Sequence, residues 1–245
     1  MRTRTSPLLC ELHAHTRWSD GELTISELVD LHGRAGFDVL GITDHVVRPN
    51  DPWKEIQGAQ ARAVDETTWD AYLADIEREA RRALVMYGLL VVPGLELTFN
   101  DLESVQAAHA VAFGLRSYVS LDRGIADAMS DARTQGAALV AAHPYDGPEP
   151  TSTNLRVTRR FSRDRGLRDL AHRFELFNRS QLFGWVAEAG LPAVACGDVH
   201  CLQHLSGWRT LVPCERDEEA VVNYLRSPRP VYLTKVEPAH ARIAA

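Results

Sequence analysis

Two histidines and an aspartate stand close together near the start of the sequence, in the segment ELHAHTRWSDG at residues 11–21. His13 and His15 are separated by one residue, and Asp20 follows five residues later. Imidazole nitrogens and carboxylate oxygens are ligands for divalent transition metals. Because such a pair on a strand can also be two ordinary polar residues, the metal hypothesis depends on which other residues meet it.

Further histidines and acidic residues follow later predicted strands. Six of the ten histidines fall at strand ends, together with three carboxylates. Nine such groups are too many for one ion, since zinc usually takes about four ligands and magnesium about six. A set of nitrogen and oxygen ligands without thiolate favours manganese, iron or zinc. The sequence therefore predicts two or three divalent ions bound by His13, His15, Asp20, His45, Glu96, His109, His143, Asp198 and His200.

An alternation of strands and helices has to position these side chains. LLCELH at 8–13 is typical of a buried strand, a capping box at Thr24 and Glu27 predicts a helix that Gly36 ends, and FDVLGITDH follows as a strand. The alternation continues over roughly seven or eight strands, which predicts one α/β barrel-like domain at residues 1–245. An open doubly wound sheet is the alternative. In barrels of this class, side chains at the carboxyl ends of the strands form the active site.

Composition and charge narrow the possible partners. The 245 residues are 45% hydrophobic and 24% charged, as in ordinary globular proteins. A net charge of -6 gives no general attraction to nucleic acid or to anionic membranes. The four cysteines form no C-x-x-C pair, and no segment approaches the ~20 apolar residues of a membrane span. We expect a cytoplasmic protein with no membrane partner.

The series of motifs resembles that of the PHP family, the polymerase and histidinol phosphatase domain. The motifs are HAHTRWSDG, ITDH, GLELT with AHAVAF, AAHPY and GDVH, and they extend over residues 8–201. The resemblance implies a distorted, TIM-like (β/α)7 barrel with a di- or trinuclear metal centre that hydrolyses phosphoesters.

The resemblance also implies how the ligands are shared. One ion would be held by His13, His15, Glu96 and Asp198. A second would be held by Glu96, His109 and His143, and a third by Asp20, His45 and His200. Asp44 and Asn178 would orient ligands from behind. Asp20, His45 and His200 are also the catalytic candidates, and the proton donor to the leaving group is open between a ligand histidine, Asp20 and solvent.

Arginines near the predicted rim suggest how phosphate is held. Residues 156–173 contain seven arginines just after the strand that ends at His143. We predict that Arg159 and Arg160 contact substrate phosphate, with Arg17 and Arg179 as further candidates after strand ends. A solvated face is the alternative for the whole stretch. The polar segment 46–67 is long for a loop and is typical of a lid or binding loop.

Metal coordination lowers the pKa of bound water towards ~7, which gives a hydroxide nucleophile at neutral pH. The sequence thus predicts a metal-dependent phosphoesterase that hydrolyses a small phosphorylated metabolite or nucleotide through a metal-bridging hydroxide. An exonuclease or phosphodiesterase acting on short oligonucleotides is an alternative. A noncatalytic PHP-like domain is the alternative from another class, and the complete ligand set argues against it.

Overall fold

The computed structural model describes residues 6–58, 61–148 and 156–237. Its first half contains β1 (Leu8–Glu11), α1 (Ile25–Arg34), β2 (Val39–Ile42), β3 (His45–Val46), α2 (Pro52–Gln57), α3 (Trp69–Tyr87), β4 (Leu90–Phe99) and β5 (Ala108–Phe113). Its second half contains α4 (Ile125–Thr134), β6 (Ala138–Ala142), α5 (Arg160–Arg163), α6 (Arg165–Leu170), β7 (Arg173–Asn178), β8 (Gln181–Leu182), α7 (Gly184–Glu188), β9 (Ala193–Cys196), a 3₁₀ helix (Leu202–Leu205), β10 (Gly207–Val212), α8 (Glu218–Arg226) and β11 (Tyr232–Val236).

The strands form one curled, mixed sheet in the order β11-β10-β1-β2-β4-β5-β6-β7-β8, with β3 beside β4 and β9 beside β7. The mixed α/β class predicted from the sequence is confirmed. A closed (β/α)7 barrel is not confirmed, because β5 runs antiparallel to both neighbours and β10 is antiparallel to β1. Within the described residues, the chain after β9 meets the chain after β1 at an isolated bridge between Ala14 and Val199. With its mixture of parallel and antiparallel ladders, the sheet is a curled half-barrel.

Local sequence signals explain several element boundaries. The Thr24 side chain accepts from the Glu27 backbone N–H, and the Glu27 carboxylate accepts from the Thr24 N–H, so the predicted capping box opens α1. Gly88 ends α3 in the left-handed conformation at φ 64°. The helix α7 begins only at Gly184, because residues 181–182 pair with β7 as a hairpin.

The two faces of the sheet pack against two different apolar clusters. Along β5, Ala110 and Ala112 pack into the cluster that includes α1, α3 and α4, whereas Val111 and Phe113 pack into the cluster with α8. Side chains alternate along a strand, so His109 shares the face of Val111 and Phe113. This inner face carries the polar cluster described below. None of the helices in the described part of the chain combines the length and apolar composition needed to cross a bilayer.

Candidate metal centre

The structure brings the nine predicted ligands together at the carboxyl ends of the parallel strands and the facing end of β5. Nitrogen and oxygen atoms fall into three groups, and all atoms within a group lie within 4.8 Å of one another. The groups are His15, Asp20, His45 and His200; His13, His15 and Glu96; and Glu96, His109 and His143. The ninth residue, Asp198, places Oδ1 at 3.4 Å from His15 Nε2. This grouping differs from the sharing implied by the resemblance in two respects: His15 belongs to two groups, and Asp198 belongs to none of the three.

Glu96 lies at the centre of the cluster and joins two of the groups. Its Oε2 lies 3.3 Å from His13 Nε2 and 3.4 Å from His15 Nε2. Its Oε1 lies 3.2 Å from His109 Nδ1 and 3.3 Å from His143 Nε2. The carboxylate is 1% exposed, so water does not compensate its charge. A carboxylate placed in this way can bridge two cations.

Hydrogen bonds behind the cluster indicate which ring nitrogens are free to bind a cation. His109 Nε2 contacts Asn100 Oδ1 at 2.9 Å, and the Asn100 amide nitrogen donates to Asp51 at 2.8 Å. This pattern makes His109 Nε2 the donor and leaves Nδ1 with a lone pair that faces Glu96. A lone pair and a carboxylate oxygen at this separation repel unless a cation lies between them. The donor set therefore fits divalent metal ions.

Unpaired buried atoms support the same conclusion. His13 Nε2, both His15 ring nitrogens, His109 Nδ1 and Glu96 Oε2 are buried and have no hydrogen-bond partner. Buried polar atoms in proteins are nearly always paired, and exceptions require an explanation. Five such atoms in one cluster, four on histidine rings and one on the Glu96 carboxylate, are explained if the cluster holds ions.

The buried carboxylates of the cluster remain ionised only with positive charge beside them. Burial alone would raise the pKa of Glu96, but the rings of His45 and His13 hold that pKa well below its usual range. Burial alone would lower the pKa of His13, yet Glu96 and Asp198 raise it well above its usual value. Burial lowers the pKa of His109 to about 4, which keeps that imidazole neutral and able to coordinate a metal.

Glu175 supports two of the histidines from behind. Its Oε1 lies 2.9 Å from His13 Nδ1, and its Oε2 accepts from the His143 backbone N–H at 2.6 Å. The predicted supporting residue Asn178 acts through this carboxylate, since its amide nitrogen donates to Glu175 Oε2 at 2.9 Å. A carboxylate behind a ligand histidine fixes the ring orientation and tautomer.

Asp44, predicted to orient a ligand histidine, is placed below the turn that carries Asp20. Its carboxylate accepts from the backbone N–H groups of Thr16 (2.7 Å) and Ser19 (3.1 Å) and from both hydroxyls. His45, the next residue, is instead oriented by Thr98, whose hydroxyl lies 2.7 Å from His45 Nδ1. Asp44 thus positions the 16–20 turn.

We expect Asn100→Ala to weaken metal binding by about 10- to 100-fold, the usual effect of losing the partner of a ligand histidine. The variant removes the acceptor for His109 Nε2 and frees the ring to rotate. Metal titration of chelator-treated protein measures the effect. The matched control is Asn223→Ala on α8, where the lost amide contacts Glu219 on the protein surface. Equal metal affinity in the two variants would contradict the assigned role.

Three site residues adopt backbone conformations that side chains rarely occupy. Among the described non-glycine residues, positive φ occurs at His143 (32°), Arg179 (56°) and Asp198 (45°). They follow β6, β7 and β9, where each chain turns away from the sheet. Such strain concentrates at functional sites because the surrounding structure has to hold it.

A cleft of about 880 Å³ opens over the cluster and contains two arginines. Arg156 Nη2 lies 2.6 Å and Arg179 Nη2 3.2 Å from Asp198 Oδ2. Arg179 was predicted, whereas Arg156 belongs to the predicted stretch but was not singled out. Among the described lining residues of this cleft there is no Arg17, Arg159 or Arg160. Arg17 lines a second, smaller cleft, Arg159 immediately precedes α5, and Arg160 pairs with Asp164 at 3.4 Å.

Several residues that support the site were missed at the level of sequence. Glu175, Thr98 and Asn100 are not among the site residues that the sequence motifs predict. A signal existed for Thr98 and Asn100, because both follow Glu96 at intervals of two residues on the same face of β4 or its extension. Asp51 carried no comparable signal, since it lies in the long segment before α2.

No family model and no curated protein matches the sequence, so the comparison rests on three-dimensional structure. The fold is similar to that of a two-domain protein from Bacteroides vulgatus that contains a predicted PHP-like metal-dependent phosphoesterase. The TM-score is 0.65 at 19% identity, over 96% of this chain and 69% of that one. A second similar structure, from Bifidobacterium adolescentis, is a candidate metal-dependent phosphoesterase with 16% identity, TM-score 0.47 and coverage of 78% and 87%.

The first of these similarities defines the class of fold. The chain shares the fold of that protein, which contains a predicted PHP-like metal-dependent phosphoesterase, and the resemblance in fold predicted from the motifs is confirmed.

Proposed function

We propose that the protein is a PHP-family phosphoesterase that hydrolyses a small phosphorylated molecule with the help of two or three divalent ions of manganese, iron or zinc. The observation that carries this proposal is the set of three ligand groups joined by Glu96 and His15 below an open cleft. Two arginines beside Asp198 add positive charge where a phosphoryl group would enter. The similarity in fold supports the same reaction class.

Different residues of the cleft can carry out different steps of phosphoester hydrolysis. Ions held by the nine ligands would supply Lewis acidity and a water of lowered pKa. Arg156 and Arg179 offer guanidinium donors that match the spacing of phosphoryl oxygens. Asp20 and His200 are the most exposed of the nine, at 34% and 21% of their side chains. They lie 3.3 Å apart at the open edge of the cluster, where a proton can pass to the leaving-group oxygen.

Metal analysis and a hydrolysis panel test this function together. Protein reconstituted with each metal is expected to bind more than one ion per chain. It is then expected to hydrolyse members of a panel of phosphomonoesters, bisphosphates, cyclic diesters and short oligonucleotides. Hydrolysis of oligonucleotides alone would favour the exonuclease alternative. At most one ion per chain, with no hydrolysis across the panel, would contradict the proposal and favour a noncatalytic domain.

We expect Arg156→Ala to raise the Michaelis constant by roughly 10- to 100-fold, because hydrogen bonds to charged groups contribute about 1.5–3 kcal/mol each. Metal content should stay at the wild-type level. The control is Arg160→Ala, which removes the same side chain from α5, where it pairs with Asp164. Steady-state kinetics of both variants measure the difference. A larger effect at Arg160 than at Arg156 would favour the original prediction for residues 159–160.

A further inference from the structure

Three large apolar side chains line the same cleft as the charged cluster. Trp53 and Ile56 lie on α2, and Leu102 follows β4. Ile56 is 54% exposed and Leu102 is 68% exposed. Single exposed apolar residues are ordinary, but three that converge on one cleft indicate a surface that a ligand covers.

The cleft is larger than a phosphate group alone would fill. Its volume of about 880 Å³ lies in the range of ~300–1,000 Å³ that is usual for small-molecule sites. A bound phosphoryl group would lie in the polar part, next to the ligands and the two arginines. The rest of the cleft is therefore available to the leaving group of the ester.

The apolar and cationic groups border different members of the cluster. The Trp53 ring lies 5.5 Å from the His45 ring, at a tilt of 57°. Arg156 and Arg179 both contact Asp198. A substrate with its phosphoryl group beside Asp198 can thus extend its leaving group towards Trp53.

Hydrogen bonds hold α2 in place against the cluster. Asp51 is fully buried and accepts from the Trp53 backbone N–H at 2.9 Å and from the Asn100 amide at 2.8 Å. Asn100 in turn contacts His109. The helix that carries Trp53 is therefore tied to a metal-facing histidine, so the apolar surface is formed before substrate binds.

We propose that Trp53, Ile56 and Leu102 form a leaving-group subsite that selects phosphate esters with an aromatic or heteroaromatic ring. A flat ring matches the indole of Trp53, and offset or edge-to-face packing between rings adds to the burial of apolar area. This inference rests on the proposed phosphoesterase function. It also gives a role to the predicted binding loop at 46–67, which contains α2.

Equilibrium binding of phosphonates, which are not hydrolysed, tests the subsite separately from catalysis. Calorimetry on the metal-loaded protein compares methylphosphonate, benzylphosphonate and a nucleoside 5′-phosphonate. We expect the ring-bearing ligands to bind about tenfold or more tightly than methylphosphonate. The nucleoside arm distinguishes a base from a simple aryl group as the preferred ring.

The variants are Trp53→Ala and Leu102→Ala, with Tyr232→Ala as a control. Tyr232 is 57% exposed on β11 and does not line the cleft. We expect each cleft variant to reduce the preference for a ring at least several-fold while methylphosphonate binds as in the wild type. Equal reductions for all ligands, or an unchanged preference in both cleft variants, would overturn the subsite. Absence of any phosphonate binding in the wild type would instead contradict the proposed function, and the subsite with it.

Discussion

Replacing Glu96 by glutamine is expected to lower turnover by more than about 100-fold, because even the loss of a supporting partner behind a metal ligand costs about 10- to 100-fold. Glutamine keeps the shape of the side chain but removes the charge that faces the rings of His13, His15, His109 and His143. One of its two oxygens becomes an amide nitrogen, which cannot bind a cation. Both groups of ligands that share Glu96 are then incomplete.

Two measurements on the Glu96→Gln protein separate loss of metal from loss of chemistry. Elemental analysis should show fewer ions per chain than in the wild type, and kinetics at saturating metal should show that turnover is not restored. The matched control is Glu79→Gln on α3, a buried glutamate that pairs with Arg82 outside the cluster. Wild-type turnover with a full metal complement in Glu96→Gln would show that this carboxylate does not join the two groups.

The positions of the candidate ligands could be predicted because they depend on local pattern. Most of them follow or end a short apolar run, and the carboxyl ends of neighbouring parallel strands lie at one edge of a sheet. His109 is an exception, because it begins the apolar run of the antiparallel strand β5. The same reasoning correctly identified the α1 capping box, where Thr24 and Glu27 are close in sequence. Information that lies within a few residues of sequence was sufficient for these features.

Features that depend on pairing between distant segments could not be predicted. The strand β10 was missed because its sequence, GWRTLV, mixes polar and apolar residues, and it becomes a strand by pairing with β1 some 200 residues earlier. The strand β5 runs antiparallel to β4, yet nothing in the run HAVAF indicates the direction of the strand relative to its neighbours. The contact between Arg156 and Asp198 likewise joins two loops that are distant in sequence.

A buried ion pair below the metal centre is a further example of such long-range pairing. Arg209 Nε on β10 lies 2.5 Å from Glu11 Oε2 on β1, and neither side chain is exposed. Glu11 Oε1 accepts from the backbone N–H groups of His13 (3.1 Å) and Gly197 (2.9 Å). Arg209 donates to the His204 carbonyl at 2.7 Å. The pair therefore fixes the segments that carry His13 and Asp198, as well as the 3₁₀ helix that follows His200.

Gly197 shows how closely this pair fits the chain. A Cβ atom at residue 197 would overlap the Glu11 carboxylate and the Arg209 guanidinium. The absence of a side chain thus allows the ion pair to lie directly below the backbone that presents Asp198. A substitution that leaves either Glu11 or Arg209 unpaired should therefore disturb the backbone segment that presents Asp198.

Arg209→Met is expected to lower the free energy of unfolding by about 3–5 kcal/mol, because it leaves the Glu11 charge buried and unpaired. At about 2–4 °C per kcal/mol for a chain of this size, the midpoint of thermal unfolding should fall by on the order of 10 °C. The control Lys235→Met removes a cation from the exposed pair with Glu237 and should change stability by less than about 0.5 kcal/mol.

The double variant Glu11→Gln with Arg209→Met separates the buried charge from the other losses at this position. Glutamine keeps an oxygen for the N–H groups of His13 and Gly197 but has no charge to compensate. We therefore expect the double variant to be more stable than Arg209→Met alone, since the unpaired charge rather than the lost packing dominates the cost. Thermal and denaturant unfolding at a fixed metal concentration give the comparison. A double variant that is less stable than the single one would mean that Arg209 acts through its contacts with the 204–205 carbonyls.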